Sequence, residues 1–245
     1  ECITEAADDA TIQTNLLESR LICGSEVVYT QFFIEIKQQL NATAFLDAKI
    51  AEQNKRHEKF NDSGYSLEPN IKESPGGLRD IHTILWLAQS QGLGNTWLEL
   101  ARNGVISQSE LHEIKRHERN LNTLRIRLHY LAKRREDRLL FDFQNELAAN
   151  LGLVNTSSKR ASEQLMQSYY RSVRYINLIN EILLKSFAIS NVTNETSVVI
   201  NARFTAQNKW LEAISPDLFQ NQPSAILECF LLLQQYPELE GFSPS

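Results

Sequence analysis

The sequence predicts a mainly α fold, a helical bundle with two long packed helices and a short β-hairpin near residues 197–214. Three observations carry this. Apolar residues recur at three- and four-residue spacing through most of the chain, the period of a helix with one buried face. Nine glycines and six prolines in 245 residues are few turn signals for a sandwich or barrel of short strands. The pattern turns β-branched and alternating at "SVVINARF", 197–204.

From Glu1 to about Phe60 the apolar positions are Ile12, Leu16 and Leu17, then Phe32, Phe33, Ile36 and Leu40, then Phe45 and Ile50. Two or three helices fit, broken near Cys23-Gly24-Ser25 and near Asn41. A polar loop, Asn61-Asp62-Ser63-Gly64, leads into "NIKESPGGLRDIHTILWLA", 70–88, in which Leu78, Ile81, Ile84, Leu85 and Ala88 share a face after Pro75. The clearest helix spans about 107–133, with Leu111, Ile114, Leu121, Leu124, Leu128 and Leu131 spaced by three, four or seven. A second long helix runs from the cap-like Thr156-Ser157-Ser158 to about Phe187, turning Leu165, Tyr169, Val173, Ile176, Ile179 and Leu183 inward. The strand at 197–204 pairs with "KWLEAI", 209–214, and a last helix follows Pro223 and stops before Pro237. Three regions result: 1–60, 61–190 and 191–245.

The chain is 42% hydrophobic, enough to bury a substantial core, and its net charge of −5 argues against a whole-molecule nucleic-acid binder. Phosphate binding therefore requires a local basic patch. No run of about 18 apolar residues reads as a membrane span. Cys2, Cys23 and Cys229 are odd in number and far apart, so free, mostly buried thiols in a reducing compartment are expected. The triplet Asn191-Val192-Thr193 has no secretory segment beside it and reads as chance. The chain opens at Glu1 without Met, straight into helix-like sequence, and reads as a piece of something longer.

Two segments concentrate chemistry. In the first, Pro75 starts a helix, Gly76 and Gly77 permit close approach of the backbone, and Lys72 and Arg79 flank the turn. Free N–H groups at such a turn suit an anion. The competing reading is a Pro-started helix whose Arg79-Asp80 pair packs on a neighbour. In the second, Lys115 to Arg138, nine basic residues face three acidic ones, and Arg134, Arg135 and Arg138 crowd its end. That run is either a solvated helix face or a basic wall for a nucleotide or acidic partner. The five histidines form no HExxH, and no nucleophile motif or metal-ligand spacing is present.

Four segments, "LEPNIKESPGGLRDIHTILWLA" (67–88), "RLHYLAKRREDRLLFDFQNELAANLGL" (127–153), "EQLMQSYYRSVRYINLINEILL" (163–184) and "PDLFQNQPSAILECFLLLQQYPELEGFSPS" (216–245), resemble the bifunctional uridylyltransferase/uridylyl-removing enzymes of bacterial nitrogen control. "TIQTNLLESRLICGS" (11–25) is similar to the stretch after that family's nucleotidyltransferase core. The Lys-x-x-x-Gly-Gly-Leu-Arg-Asp pattern also resembles one in the glutamine synthetase adenylyltransferases. The resemblance implies a cytoplasmic enzyme that moves UMP from UTP to a tyrosine of the PII signal protein and removes it again. It implies Mg²⁺ held by an Asp-x-Asp pair after Gly-Ser, hydrolysis by an HD domain, and glutamine-sensing ACT domains.

This sequence departs from that set. Gly24-Ser25 is its one Gly-Ser pair, no Asp-x-Asp follows, and it has no His-Asp dipeptide. By the resemblance, 1–60 is the helical tail of the nucleotidyltransferase domain, 61–190 the helical central domain, and 191–245 the approach to the HD domain. The expectation is a segment that completes a nucleotide cleft and positions PII, without catalytic residues, metal or cofactor of its own. Lys72 and Arg79 are then the triphosphate or transition-state contacts, with the Gly76-Gly77 turn allowing approach. Asp80 orients Arg79, while Arg134, Arg135 and Arg138 support them. A non-catalytic scaffold or partner-binding module is the alternative.

Overall fold

The structure, a computed structural model, describes residues 9–60, 64–190 and 197–243. The chain divides into two compact units, Glu1–Glu181 and Ile182–Ser245. The loop residues 61–63, Cys2 and the 191–193 triplet lie outside the described residues.

Among the described residues the first unit begins with three helices, α1 (Ala10–Leu17), α2 (Glu26–Gln39) and α3 (Ala42–Glu58). Asp9, Ser25 and Asn41 each accept an N–H of the first turn, so the two predicted breaks are helix caps. Leu17, Ile36 and Phe45 are buried as expected. On α3, however, Lys49 and not Ile50 turns inward, and the buried stripe continues through Gln53 to the half-buried Arg56 and His57.

Next come α4 (Leu78–Ser90), α5 (Trp97–Arg102), α6 (Gln108–Ala132), α7 (Phe141–Asn150) and α8 (Ala161–Ser190). Ser107 and Glu110 form a reciprocal capping box at the start of α6. Leu111, Ile114, Leu121, Leu124 and Leu128 of α6 are buried, as are Leu165, Tyr169, Val173, Ile176 and Ile179 of α8. The two long helices meet through His117, whose Nδ1 lies 3.0 Å from Ser172 Oγ, and through Asn120, which donates to the same hydroxyl at 2.9 Å. The expected cap at Thr156–Ser158 is displaced. Thr156 closes a turn with Lys159, and the start of α8 is held instead by Glu163 accepting the Arg160 N–H at 3.1 Å.

The second unit carries a four-stranded sheet in the order β1 (Val198–Val199), β2 (Phe204–Gln207), β3 (Trp210–Ala213), β4 (Gly241–Phe242). Helices α9 (Leu218–Asn221) and α10 (Ala225–Gln235) lie between β3 and β4 in sequence. The hairpin at 197–214 is present but differently divided. The stretch 197–204 is not one strand: β1 and β2 pair with each other, and β3 pairs with β2 through Gln207↔Trp210. Asn208 and Lys209 both have positive φ, the signature of a two-residue turn that follows strand twist. β4 joins β3 in parallel. Phe204, Leu211, Leu218, Ala225, Cys229 and Leu232 form this unit's core. Cys229 is thus buried as expected, whereas Cys23 is exposed.

Candidate functional site

The segment before α4 is a loop that satisfies its own backbone. Asn70 Oδ1 accepts the Lys72 and Glu73 N–H groups at 3.0 and 2.8 Å, and Ser74 Oγ accepts the Asn70 N–H at 3.0 Å. The N–H groups of Gly77, Leu78 and Arg79 then donate to the carbonyls of Ser74, Ile71 and Lys72. The remaining one, Gly76 N–H, donates to Asp80 Oδ2 at 2.6 Å. No N–H of the Pro-Gly-Gly turn is left for an anion, and the turn itself is buried. The expectation of free N–H groups is therefore corrected. What the glycines do here is allow packing. Gly76 has φ +74°, and a Cβ on it would stand 2.3 Å from the Val173 carbonyl oxygen of α8. A Cβ on Gly77 would press on three loop carbonyls within 2.9 Å.

Asp80 is the hub beneath this loop, with no solvent exposure. Its Oδ1 accepts from Arg56 Nη2 at 2.6 Å, and His57 Nε2 lies 3.0 and 3.2 Å from its two oxygens. Arg56 also donates to the Glu73 carbonyl at 3.0 Å, tying α3 to the loop. Asp80 thus orients Arg56 and His57, and not Arg79 as the sequence suggested. Consecutive helical residues point about 100° apart, so Asp80 faces the core while Arg79 runs along the surface. Arg56, His57 and Lys49 were missed from the sequence. The signal for them was the continuation of the Phe45 stripe at 49, 53 and 56, polar residues in core positions.

Above the hub lies a half-buried charged rim. Lys72 Nζ and Arg79 Nη2 both sit 3.3 Å from one oxygen, Glu73 Oε1. Burial alone would raise the Glu73 carboxyl, but Arg79 and Lys72 outweigh it and hold it below the usual range. Arg79 lies over the Trp86 ring at 5.5 Å, and Lys49 Nζ over the same ring at 4.5 Å. His82 stands 5.9 Å from Trp86, and burial together with the charge of Arg79 lowers its pKa. A cavity of about 740 Å³ is walled by His82 and Trp86 of α4 and by Glu18, Arg20 and Tyr29.

The second basic segment reaches this loop through an antiparallel bridge between Asn70 and Arg138, with Ile71 N–H donating to the Asp137 carbonyl at 2.8 Å. Asp137 accepts from Arg125 Nε at 2.6 Å and lies 2.9 Å from His129 Nε2; these partners outweigh burial and lower its carboxyl pKa. Arg134, Arg135 and Arg138 themselves are exposed. Arg138 donates to the Glu68 carbonyl at 3.3 Å, while Arg134 pairs with Glu136. Both oxygens of Asp80 are spent on protein donors, and among the described residues no three His, Cys, Asp or Glu side chains group as metal ligands. The Asp80 carboxylate therefore leaves no oxygen open to a cation. No helix among the described residues is long and apolar enough to cross a membrane.

Residues 44–184 match the family model of the GlnD PII-uridylyltransferases, and residues 204–245 that of the uridylyltransferase GlnD third domain. The chain belongs to the GlnD uridylyltransferase family. The bifunctional uridylyltransferase/uridylyl-removing enzyme of Nitrosospira multiformis is 46% identical over 245 residues, covering 99% of this chain and 28% of that enzyme. The enzymes so named from Thiobacillus denitrificans and Aromatoleum aromaticum are 44% and 45% identical, with 29% and 28% of their lengths covered. The chain thus spans less than a third of the relatives it matches. No solved structure matches it. The Asp80 hub and the Lys72–Arg79 rim both lie inside the span of the first family model.

Proposed function

We propose that this chain is the helical central segment of a cytoplasmic uridylyltransferase that moves UMP from UTP to the PII signal protein in nitrogen control. One observation supports the role most directly. Lys72 and Arg79 converge on a single carboxylate oxygen, the position that an oxygen of an incoming phosphate would contest. In this reading the two cations offset negative charge gathering on the triphosphate during transfer. The cavity beside His82 and Trp86 is large enough for a nucleotide. The Asp80 hub holds the loop rigid, so the cations need little reorganisation when substrate arrives. Arg134, Arg135 and Arg138 form an outer basic edge for substrate or PII. Magnesium, where the reaction uses it, is held by residues outside this chain, and the isolated chain transfers no UMP.

The test is made in the full-length parent. Lys72→Ala and Arg79→Ala should each lower the kcat of PII uridylylation by about tenfold to a thousandfold while the melting temperature barely moves. A second reading, a non-catalytic packing module, is favoured by the burial of the turn and of Asp80. It requires the reverse result: a lower melting temperature for Arg79→Ala with kcat per folded molecule unchanged. The isolated chain, incubated with labelled UTP, magnesium and PII, should leave PII at the no-enzyme blank.

A further inference from the structure

We propose that a cleft between Tyr65 and the first half of α8 is a separate binding site for a nucleoside polyphosphate. The cleft is open to solvent along one side and has a volume of about 610 Å³, within the range of small-molecule sites. Its wall is aromatic. The rings of Tyr65 and Tyr170 lie 5.6 Å apart at 45°, and Tyr170 is fixed by donating its hydroxyl to the Ser66 carbonyl at 3.1 Å. The buried Tyr169 backs Tyr170 edge-on at 5.5 Å, and the buried Met166 also lines the cleft. The wall is thus anchored to the core.

The rim is mainly cationic. Arg171 and Arg174 sit three residues apart on one face of α8, and Lys159 projects from the turn before the helix. Lys159 Nζ contacts the neutral Gln167 at 3.0 Å. Among the described residues no carboxylate lies within ion-pair distance of these three cations, whereas Arg56, Arg79, Arg116, Arg125, Arg134, Arg135 and Arg203 all have one. Glu163, the single acid lining the cleft, already accepts the Arg160 N–H. In a chain of net charge −5, three cations with no carboxylate partner among the described residues, beside an aromatic wall, describe a ligand that is aromatic at one end and polyanionic at the other. Guanidinium forks match phosphate oxygens, and ring faces stack on bases of any identity. A single-stranded nucleic acid needs a longer basic track than one cleft supplies.

Isothermal titration of the full chain at low salt without magnesium, using UTP, ATP and inorganic triphosphate, tests this. A nucleotide should bind with Kd of about 10 µM to 1 mM. Arg171→Gln combined with Arg174→Gln should weaken binding by about tenfold or more. Tyr65→Leu should weaken the nucleotides by about fivefold or more and leave inorganic triphosphate unchanged. These side chains are exposed, and circular dichroism confirms that each variant is folded. Lys72→Ala should remove only heat that comes from the rim of the proposed function, and the component that depends on Arg171 and Arg174 should remain, which separates the two sites. Absence of saturable heat to about 5 mM overturns the site. So does nucleotide binding that ignores the arginine pair and disappears with Lys72→Ala. Inorganic triphosphate binding as tightly as UTP makes it a bare anion site, and an RNA octamer binding far more tightly than UTP makes it a nucleic-acid surface; either result overturns the nucleotide assignment.

Discussion

The two sides of the Asn70–Arg138 bridge both carry charged residues, but in opposite settings. On one side, the loop leading to Asp80 buries a carboxylate completely and surrounds it with a backbone N–H, a guanidinium and an imidazole. On the other, Arg134 and Arg135 are 66% and 74% exposed and reach only carboxylates two residues away. Both stretches stand out as charged in the sequence, the second more densely than the first. Burial decides which charges hold the fold. A buried ion that loses its partner leaves an uncompensated charge in a poorly solvated place, while an exposed pair trades protein contacts for water at little cost.

The largest effect should follow from Asp80→Ala, which strands Arg56, His57 and the Gly76 N–H together. A loss of about 3–5 kcal/mol is expected in urea denaturation. A loss under about 1 kcal/mol would break the comparison, because the hub would then be no more important than the exposed arginines.

That contrast also explains what the sequence disclosed. The apolar stripes of α6 and α8 and the helix breaks near Ser25 and Asn41 were legible because helical periodicity is local, whereas the cap expected at Thr156–Ser158 was displaced by the Thr156–Lys159 turn. The Lys72, Gly76, Gly77, Arg79 and Asp80 cluster was legible as a motif, since such composition is unusual at a helix start. Its internal wiring was not. Which partner Asp80 takes depends on α3, more than twenty residues away, and Arg56 reads as an ordinary surface residue until its place on the Phe45 stripe is noticed. The division of 197–207 into two strands was hidden for a similar reason. Asn201 Oδ1 accepts the N–H groups of Arg203 and Phe204 and folds the chain back between them, where alternation alone suggested one continuous strand.

An intermediate effect should appear with pH. His117 is buried between α6 and α8, stacked 4.7 Å from Tyr175, and its pKa is lowered by burial and then by Arg116, with Glu113 opposing. His82 is lowered in the same direction. As pH falls below the unfolded-state value of about 6.5, the unfolded chain takes up protons that the folded chain refuses. Stability therefore falls between pH 7 and pH 5. Glu73 and Asp137, whose carboxyls are lowered, add their own loss only when pH enters the carboxylate range. His117→Gln should make the decline between pH 7 and 5 shallower, with His82 leaving a remainder. Urea midpoints at pH 7, 6 and 5 measure this, and identical slopes for parent and variant would show that His117 does not feel its burial.

The smallest effect belongs to the exposed side of the bridge. Arg135 Nε is 3.6 Å from Asp137 Oδ2, but Asp137 already holds Arg125 at 2.6 Å and His129 at 2.9 Å, so losing Arg135 strands nothing. Arg134 likewise releases Glu136, which keeps the Arg138 N–H at 3.0 Å. Arg134→Ala and Arg135→Ala should each shift stability by no more than about 0.5 kcal/mol, and 0.5 M salt should reduce even that. Stability alone therefore cannot reveal why two arginines stand there. Uridylylation by the full-length parent provides the sharper reading: a KM for PII or UTP that rises several-fold, with unchanged melting temperature and kcat, assigns them to the outer edge of the site. If either variant instead unfolds more than 2 kcal/mol more easily, the exposed side of the bridge is structural as well, and burial does not separate the two strands as argued.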